Sequence, residues 1–326
     1  VRSEFSDMRA YLLAKLMWNP QTDMDSVLVD FGKGYYGSLY TVVWDYIHEL
    51  TESLKRNGSQ LGIYDIPQNE PFISDTAFLN SKAYKRLRDY ASMDRSHIRE
   101  AWIPMHFALL EIVKRDTALL NKPAILVMEL HEFVEECKQA GFVTLHERNL
   151  PPVIYHEQYV EYLEKYRRTR DSRTTSIQLA EPASTTYAKG NPMVLTDRLV
   201  GETDYRSNWL GFQGKDMSAT VAVSGETPVS EIRVSFLQDQ EAWVFYPVQV
   251  RMETSADGVA FTEVFNTKIS LEPAGKKAVQ DVVCTLKTPI NARLVRVTAV
   301  NSKTCPSWHT CNGNPCWIFA DEIVVK

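Results

Sequence analysis

The chain is predicted to be a multidomain α + β protein: an all-α helical bundle over residues 1–172, followed by an antiparallel β-sandwich over residues 173–326. Three features of the sequence carry the assignment. Its 326 residues suffice for two separate hydrophobic cores. Apolar residues recur at helical spacing up to about residue 168, then switch to short alternating runs broken by turn residues. The final stretch, 317–325, is apolar on both faces: Trp317, Phe319, Ile323 and Val325 on one, Ile318, Ala320 and Val324 on the other. Asp321 interrupts the first face and Glu322 the second. Such a strand cannot lie in water, so it is expected to fill a slot between neighbours and close a sandwich.

Taken in order, Ser6 is placed to cap a first helix carrying Met8, Leu12 and Leu16, which Asn19 and Pro20 end. Thr22 with Asp25 has capping-box spacing, and Val27, Leu28 and Phe31 continue one face. Gly32, Gly34 and Gly37 are expected to break this helix into a turn. Leu39, Val42, Val43, Tyr46, Ile47, Leu50 and Leu54 define the next helix, which Asn57-Gly58 ends. Residues 61–75 read as loop, with further helices near 81–93, 96–116, 122–140 and 156–168. Trp18, Trp44 and Trp102 make the apolar faces generous. A self-contained bundle core accounts for most of that surface, and packing on something else is the rival.

A basic linker, 167–173, precedes the change of pattern. Alternating runs then occur at 219–223, 232–236, 248–252, 279–286 and 294–300, and Asp257-Gly258 marks a tight turn. Many short strands with no helical period argue for an antiparallel sandwich.

Net charge is −5, the sequence pI is about 5.9, and no Lys/Arg run stands apart from helix surface. Nothing in this balance suggests nucleic acid or an anionic membrane as the main partner. No apolar run reaches the roughly 18 residues of a membrane span. No signal peptide is evident, and the start at Val1 is expected of a processed protein or a fragment of a longer one.

No catalytic site is expected within these residues. His131-Glu132 opens like a helical zinc motif, but Glu135 stands where the second His belongs. Glu129, Glu132, Glu135 and Glu136 read as a solvated helix face. Cys305, Cys311 and Cys316 crowd into one loop. A disulfide is the preferred reading, Cys305–Cys316 first because it pins both loop ends, with Cys311 competing. It would imply an oxidising compartment. Free thiols and zinc with His309 are the rivals, although the spacing matches no common zinc pattern. Cys137 and Cys284 lie in apolar patterns and read as buried.

Four motifs in order resemble a discoidin-like module, the coagulation factor type C fold also seen in family 32 carbohydrate-binding modules. They are Leu195-Thr-Asp197, Trp209-x-Gly-Phe-x-Gly-x-Asp216, Trp243 leading through 247–255 to Asp257-Gly258, and Trp317 to the end. This resemblance covers about 176–326 and implies a galactose-binding-domain-like jelly roll. The wording around Trp308-His309 is similar to the terminal module of bacterial hexosaminidase-like glycan-degrading proteins. The helical half, from Tyr11 through Trp18-Asn-Pro20, Asp23 and Phe31 to Gly37, is similar to the domain of unknown function 4838 family.

The resemblance implies a non-catalytic C-terminal portion of a secreted glycoside hydrolase, with carbohydrate binding by the sandwich. The catalytic barrel would lie upstream in the same polypeptide. The expected location is periplasmic, cell-surface or secreted. The alternative is an interaction module that docks the barrel without recognising sugar. Sugar contacts fall first on Trp308 and His309, then on Trp243 and Tyr246, because an aromatic face suits the apolar side of a pyranose. Packing over the cysteine loop is the rival role for Trp308. Trp209 and Trp317 are expected in the core. Such modules often hold a structural calcium, which carries over to Asp197, Ser207 and Glu322, with backbone oxygens near Leu195 and Val200. Arg198 stands where these modules usually have Gly, and Asp197 could instead simply cap a turn.

Overall fold

In the computed structural model, residues 5–326 are described except Ile63, Tyr64, Asp94, Arg95, Glu147, Arg148, Ser207, Glu226 and Ala274. The chain divides into two compact units, Val1–Glu161 and Tyr162–Lys326.

The first unit is helical: α1 (Ser6–Trp18), α2 (Met24–Tyr36), α3 (Tyr40–Arg56), α4 (Thr76–Asn80), α5 (Lys82–Ser92), α6 (Ser96–Val113), α7 (Thr117–Leu120), α8 (Pro123–Gln139) and the first turns of α9 (Pro152–Thr169). Its core joins Val42, Val43 and Tyr46 of α3 to Phe78, Leu87, Ile98 and Trp102. Polar ties fix the loop before α4. Ser53 Oγ donates to Phe72 O and Asp75, each at 2.8 Å, while Asp75 caps α4 through Ala77 N–H and pairs with Arg56 at 2.8 Å.

Three expectations are corrected here. Helix α2 runs through Gly32 and Gly34 and stops only at Gly37, whose φ is +57°. Gly32 sits against Tyr40 at ordinary contact distance, a Cβ there falling 3.5 Å from the ring. Asp23, not Thr22, caps α2, because its carboxylate reaches Ser26 N–H while Thr22 Oγ1 turns back to Asn19 O. Ser6 lies inside α1, whose N-cap is Phe5 with no side-chain cap bond.

The second unit is a sandwich of nine strands among the described residues: β1 (Thr174–Leu179), β2 (Leu210–Gln213), β3 (Met217–Val223), β4 (Val229–Gln238), β5 (Gln249–Ser255), β6 (Thr262–Lys268), β7 (Ala278–Ile290), β8 (Leu294–Val300) and β9 (Trp317–Val325). They form an antiparallel five-stranded sheet, β1-β3-β8-β5-β6, and a four-stranded one, β2-β9-β4-β7. Alternation sends Met217, Ala219 and Val221 of β3, and Val295, Val297 and Ala299 of β8, into the core. They meet Ile232, Val234 and Phe236 of β4 from the other sheet.

The last strand is interior, lying between β2 and β4. Its two faces are not the ones simple alternation predicts. Arg233 pairs with Val324 and Ser235 with Asp321, so three steps on β9 face two on β4. This β-bulge is centred on Glu322, whose φ of +32° lies in the region that favours glycine. Parity flips across it. Ile318 and Ala320 before the bulge join Ile323 and Val325 after it in one core.

Candidate ligand-binding rim of the β-sandwich

The bulge has a chemical consequence. In a regular strand Asp321 and Glu322 would point to opposite faces; here both reach the loop after Thr196. Asp321 accepts from Gly201 N–H and from Asn208 Nδ2 at 3.2 Å. Glu322 Oε2 accepts from Arg198 N–H at 2.8 Å. Asp197 Oδ1 accepts from Leu199 N–H at 2.9 Å, the turn-capping role, and from Asn208 Nδ2 at 3.4 Å. Arg198 adopts a φ of +69°, a conformation natural for Gly at this position. Ser207 lies outside the described residues.

Asp321 and Glu322 are fully buried. Burial, and then the charge of Asp197, holds the Asp321 carboxyl well above the usual carboxylate range. Glu322 is raised by burial, then by Asp321 and Asp197. Its Oε1 is a buried oxygen with no hydrogen-bond partner among the described residues. A buried acidic group of this kind is neutral only with a proton or a cation. The charge and the orphan oxygen fit a cation. Among the described residues no three His, Cys, Asp or Glu side chains form a metal-binding group, so side chains of these types do not make up a full ligand set alone.

The loops at one end of the sandwich gather aromatic and polar side chains into a rim. Trp308 is 38% exposed and meets Phe245 edge-on at 6.0 Å, so it partly packs over the cysteine loop and partly faces solvent. His309 is held within the loop: its Nε2 lies 3.1 Å from Gln240 O and its Nδ1 accepts from Cys311 N–H at 3.2 Å. Both ring nitrogens are used, so His309 is a strut beneath Trp308. Trp243, half-buried with φ +61°, packs on the same cluster. Tyr246 turns inward against the core, its OH donating to Ala278 O at 3.1 Å. The structure thus brings Trp308, His309 and Trp243 together and takes Tyr246 away.

Cys305, Cys311 and Cys316 stand as free thiols in the structure, and the loop ends that the Cys305–Cys316 pairing was expected to pin are tied without it. Backbone bonds do this: Cys305 N–H donates to Asn314 O at 2.8 Å and Cys316 N–H to Lys303 O at 3.2 Å. The Cys316 sulfur is turned to Asn301 Oδ1 and Ser302 Oγ, each at 3.1 Å. Burial pushes the Cys305 and Cys316 thiols up and keeps them protonated.

Next to this loop stands a group the sequence reading missed. Tyr187 meets Trp317 at 5.3 Å and Tyr205 at 6.0 Å, both edge-on, and packs on Phe319 at 4.6 Å. Lys277 Nζ sits 5.7 Å over the Tyr205 ring and pairs with Asp239 at 2.7 Å. Asp239 adjoins Gln240, so the group is continuous with the His309 strut. Gly211 permits this packing, since a Cβ there would lie 3.0 Å from Phe319 and 3.1 Å from Tyr187. Trp209 is buried as expected, its Nε1–H donating to Glu202 O at 2.8 Å, but Trp317 is only half-buried. No spacing links Tyr187, Tyr205 and Lys277; only the fold brings them together.

In the helical unit, His131, Glu132 and Glu135 are exposed, and Glu136 departs from the solvated-face expectation. It is buried and lies 2.8 Å from His106 Nδ1, while Glu129 stands 3.8 Å from His106 Nε2. A second buried group joins Glu111 to Lys114 at 2.9 Å, Tyr155 OH at 2.7 Å and Gln68 Nε2 at 2.6 Å. No helix among the described residues is long and apolar enough to cross a membrane.

The family described as F5/8 type C domain matches residues 180–313, and the domain of unknown function (DUF4838) matches residues 1–48. No curated protein sequence matches the chain significantly. Similar solved structures include the CBM32 of AlyQ in complex with 4,5-unsaturated mannuronic acid, at 12% identity, covering 47% of this chain and 95% of that one, with TM-score 0.31. Another is CpGH89CBM32-5 from Clostridium perfringens, in complex with GalNAc-β-1,3-galactose, at 12% identity, 46% and 93% coverage and TM-score 0.31. The family 32 module of Streptococcus pneumoniae EndoD shares 12% identity over 48% of this chain and 99% of its own, with TM-score 0.31. The chain thus joins a DUF4838 stretch at its start to a discoidin-like F5/8 type C domain that forms its β-sandwich.

Proposed function

We propose that the β-sandwich is a non-catalytic carbohydrate-binding module within a secreted glycan-degrading protein, whose catalytic barrel belongs to the same polypeptide. One observation carries the reading: part-exposed aromatic side chains, Trp308 over the cysteine loop and the Tyr187–Tyr205–Trp317 group, are set on a rigid sandwich, with the half-exposed Lys277 over Tyr205. Aromatic faces take the apolar side of a pyranose, and a few polar groups orient its hydroxyls. The F5/8 type C match supports it. Affinity electrophoresis of the full chain against a panel of neutral glycans tests it. Retardation by at least one glycan is expected, weakened about tenfold or more by Trp308→Ala or Tyr205→Ala, about 1.4 kcal/mol per tenfold. No retardation by any glycan sinks the proposal.

We also propose that a calcium ion neutralises the acidic group, with Glu322 and Asp197 as its carboxylate ligands. The buried, unpartnered Glu322 Oε1 supports this. Bound there, the ion would supply charge compensation and brace the loop after Thr196 against β9.

A docking role has its own support in the helical unit. Trp18 is 92% and Met17 86% exposed, and α1 buries no residue. Apolar side chains so placed suit contact with another domain, for which the barrel is the proposed partner.

A further inference from the structure

We propose a second binding site, on the outer face of the five-stranded sheet, that takes the carboxylate of a uronic-acid-containing oligosaccharide. It does not rest on the rim reading.

Four adjacent strands, β1, β3, β8 and β5, present a polar trough of about 590 Å³ there, within the range of ligand sites. Its floor is short: Ser218 pairs with Thr298 across β3 and β8, their hydroxyls 3.3 Å apart, with Thr220 alongside. Register then places two arginines on the same face. Thr298 is opposite Arg251, and Arg296 is opposite Glu253, so the guanidiniums are diagonal neighbours on β5 and β8. At β1, Gln178 faces Thr220 and adds an amide. Three strand spacings make the trough about 14 Å across, long enough for several linked sugar rings.

Arg296 is positioned by its neighbours, and Arg251 stands exposed on the same face. Arg296 lies over the Phe261 ring at 3.5 Å, which fixes its plane, and its contact with Glu253 is 3.7 Å, too long for a hydrogen bond. Arg251 makes no ion pair among the described residues. Within the trough two guanidiniums stand against the one carboxylate of Glu253, and the next carboxylate, Glu263 opposite it on β6, is engaged by Asn266 at 3.2 Å. A planar fork matches a carboxylate with two parallel N–H···O bonds. The surrounding hydroxyls and the Gln178 amide match the alternating donors and acceptors of a sugar ring. With no deep apolar recess, the trough suits an acidic glycan chain lying across it.

Titration calorimetry of the full chain with oligogalacturonate, a neutral oligosaccharide and keratan sulfate tests this, with folding of each variant checked by melting temperature. Oligogalacturonate binding is expected to weaken about 10- to 100-fold in Arg251→Ala and in Arg296→Ala, the scale of a charged hydrogen bond. Arg251→Lys should recover little, because an ammonium lacks the fork. Absence of oligogalacturonate binding, or binding unaffected by both arginine variants, overturns the site. Equal or tighter arginine-dependent binding of keratan sulfate, which carries sulfate but no uronic acid, overturns the carboxylate assignment. Loss of neutral-glycan binding in Trp308→Ala bears on the rim alone.

Discussion

Raising the pH through about 9 is expected to loosen the helical unit through one side chain, His106. Its ring is buried, with Nδ1 2.8 Å from Glu136 and Nε2 3.8 Å from Glu129. Burial opposes the charge, but Glu129 and Glu136 outweigh it and raise the imidazole to about 9 from an ordinary 6.5. The 2.8 Å contact makes Glu136 the principal partner, since Glu129 is too distant for a good hydrogen bond. A folded-state pKa above the unfolded one stabilises most fully below pH 6.5, and the contribution is lost as pH rises through 9. The shift corresponds to about 3 kcal/mol, or about 6–12 °C in melting temperature for a unit of this size. Cys137, pushed up to about 12 by burial and then by Glu136, stays a thiol when folded but ionises near 9 when unfolded, so it adds to the loss above pH 9 in parent and variant, and the difference between the two reports His106. The assay is thermal melting followed by circular dichroism from pH 6 to 10, with the full chain and with Glu136→Gln. The variant should melt lower at pH 6.5 and converge on the parent near pH 10. Parallel curves across that range would show that the His106 pair does not govern this stability.

Further outcomes follow from the sandwich. Gly201→Ala should destabilise it by about 1–3 kcal/mol, since the added Cβ would fall 2.4 Å from the Trp209 indole; an unchanged urea midpoint refutes this. Ile323→Ala, in the post-bulge core, should cost about 2–5 kcal/mol by chemical denaturation, whereas a solvent-facing residue would cost little. Calcium should raise the melting temperature of the full chain and EGTA reverse it, with Glu322→Ala abolishing the response; a calcium-independent parent removes the cation proposal. Acidification should favour the buried Asp321–Glu322 pair in metal-free protein, because carboxyls raised when folded oppose folding as pH rises through their folded values. Stability that drops on mild acidification, in Asp321→Asn and parent alike, contradicts that sign.

Fold class was legible because periodicity is a local property. Alternation in β3, β4 and β8, and the 3.6-residue repeat of α3, each report which side chains can share a face before any partner is known. The apolar run of β9 likewise required an interior position. Its bulge was not legible, because a register shift is a property of two strands: the pairing with β4 sets the parity of Ile323 and Val325 and turns Asp321 and Glu322 to one loop. Tertiary contact also decided where Glu136 lies, since a helical carboxylate is solvated or buried according to what packs on it, here His106 of α6. The rim divides in the same way. Trp308 could be singled out by its aromatic loop, but Tyr187, Tyr205 and Lys277 come from loops far apart in the chain and meet only because Gly211 and β9 give them a common surface.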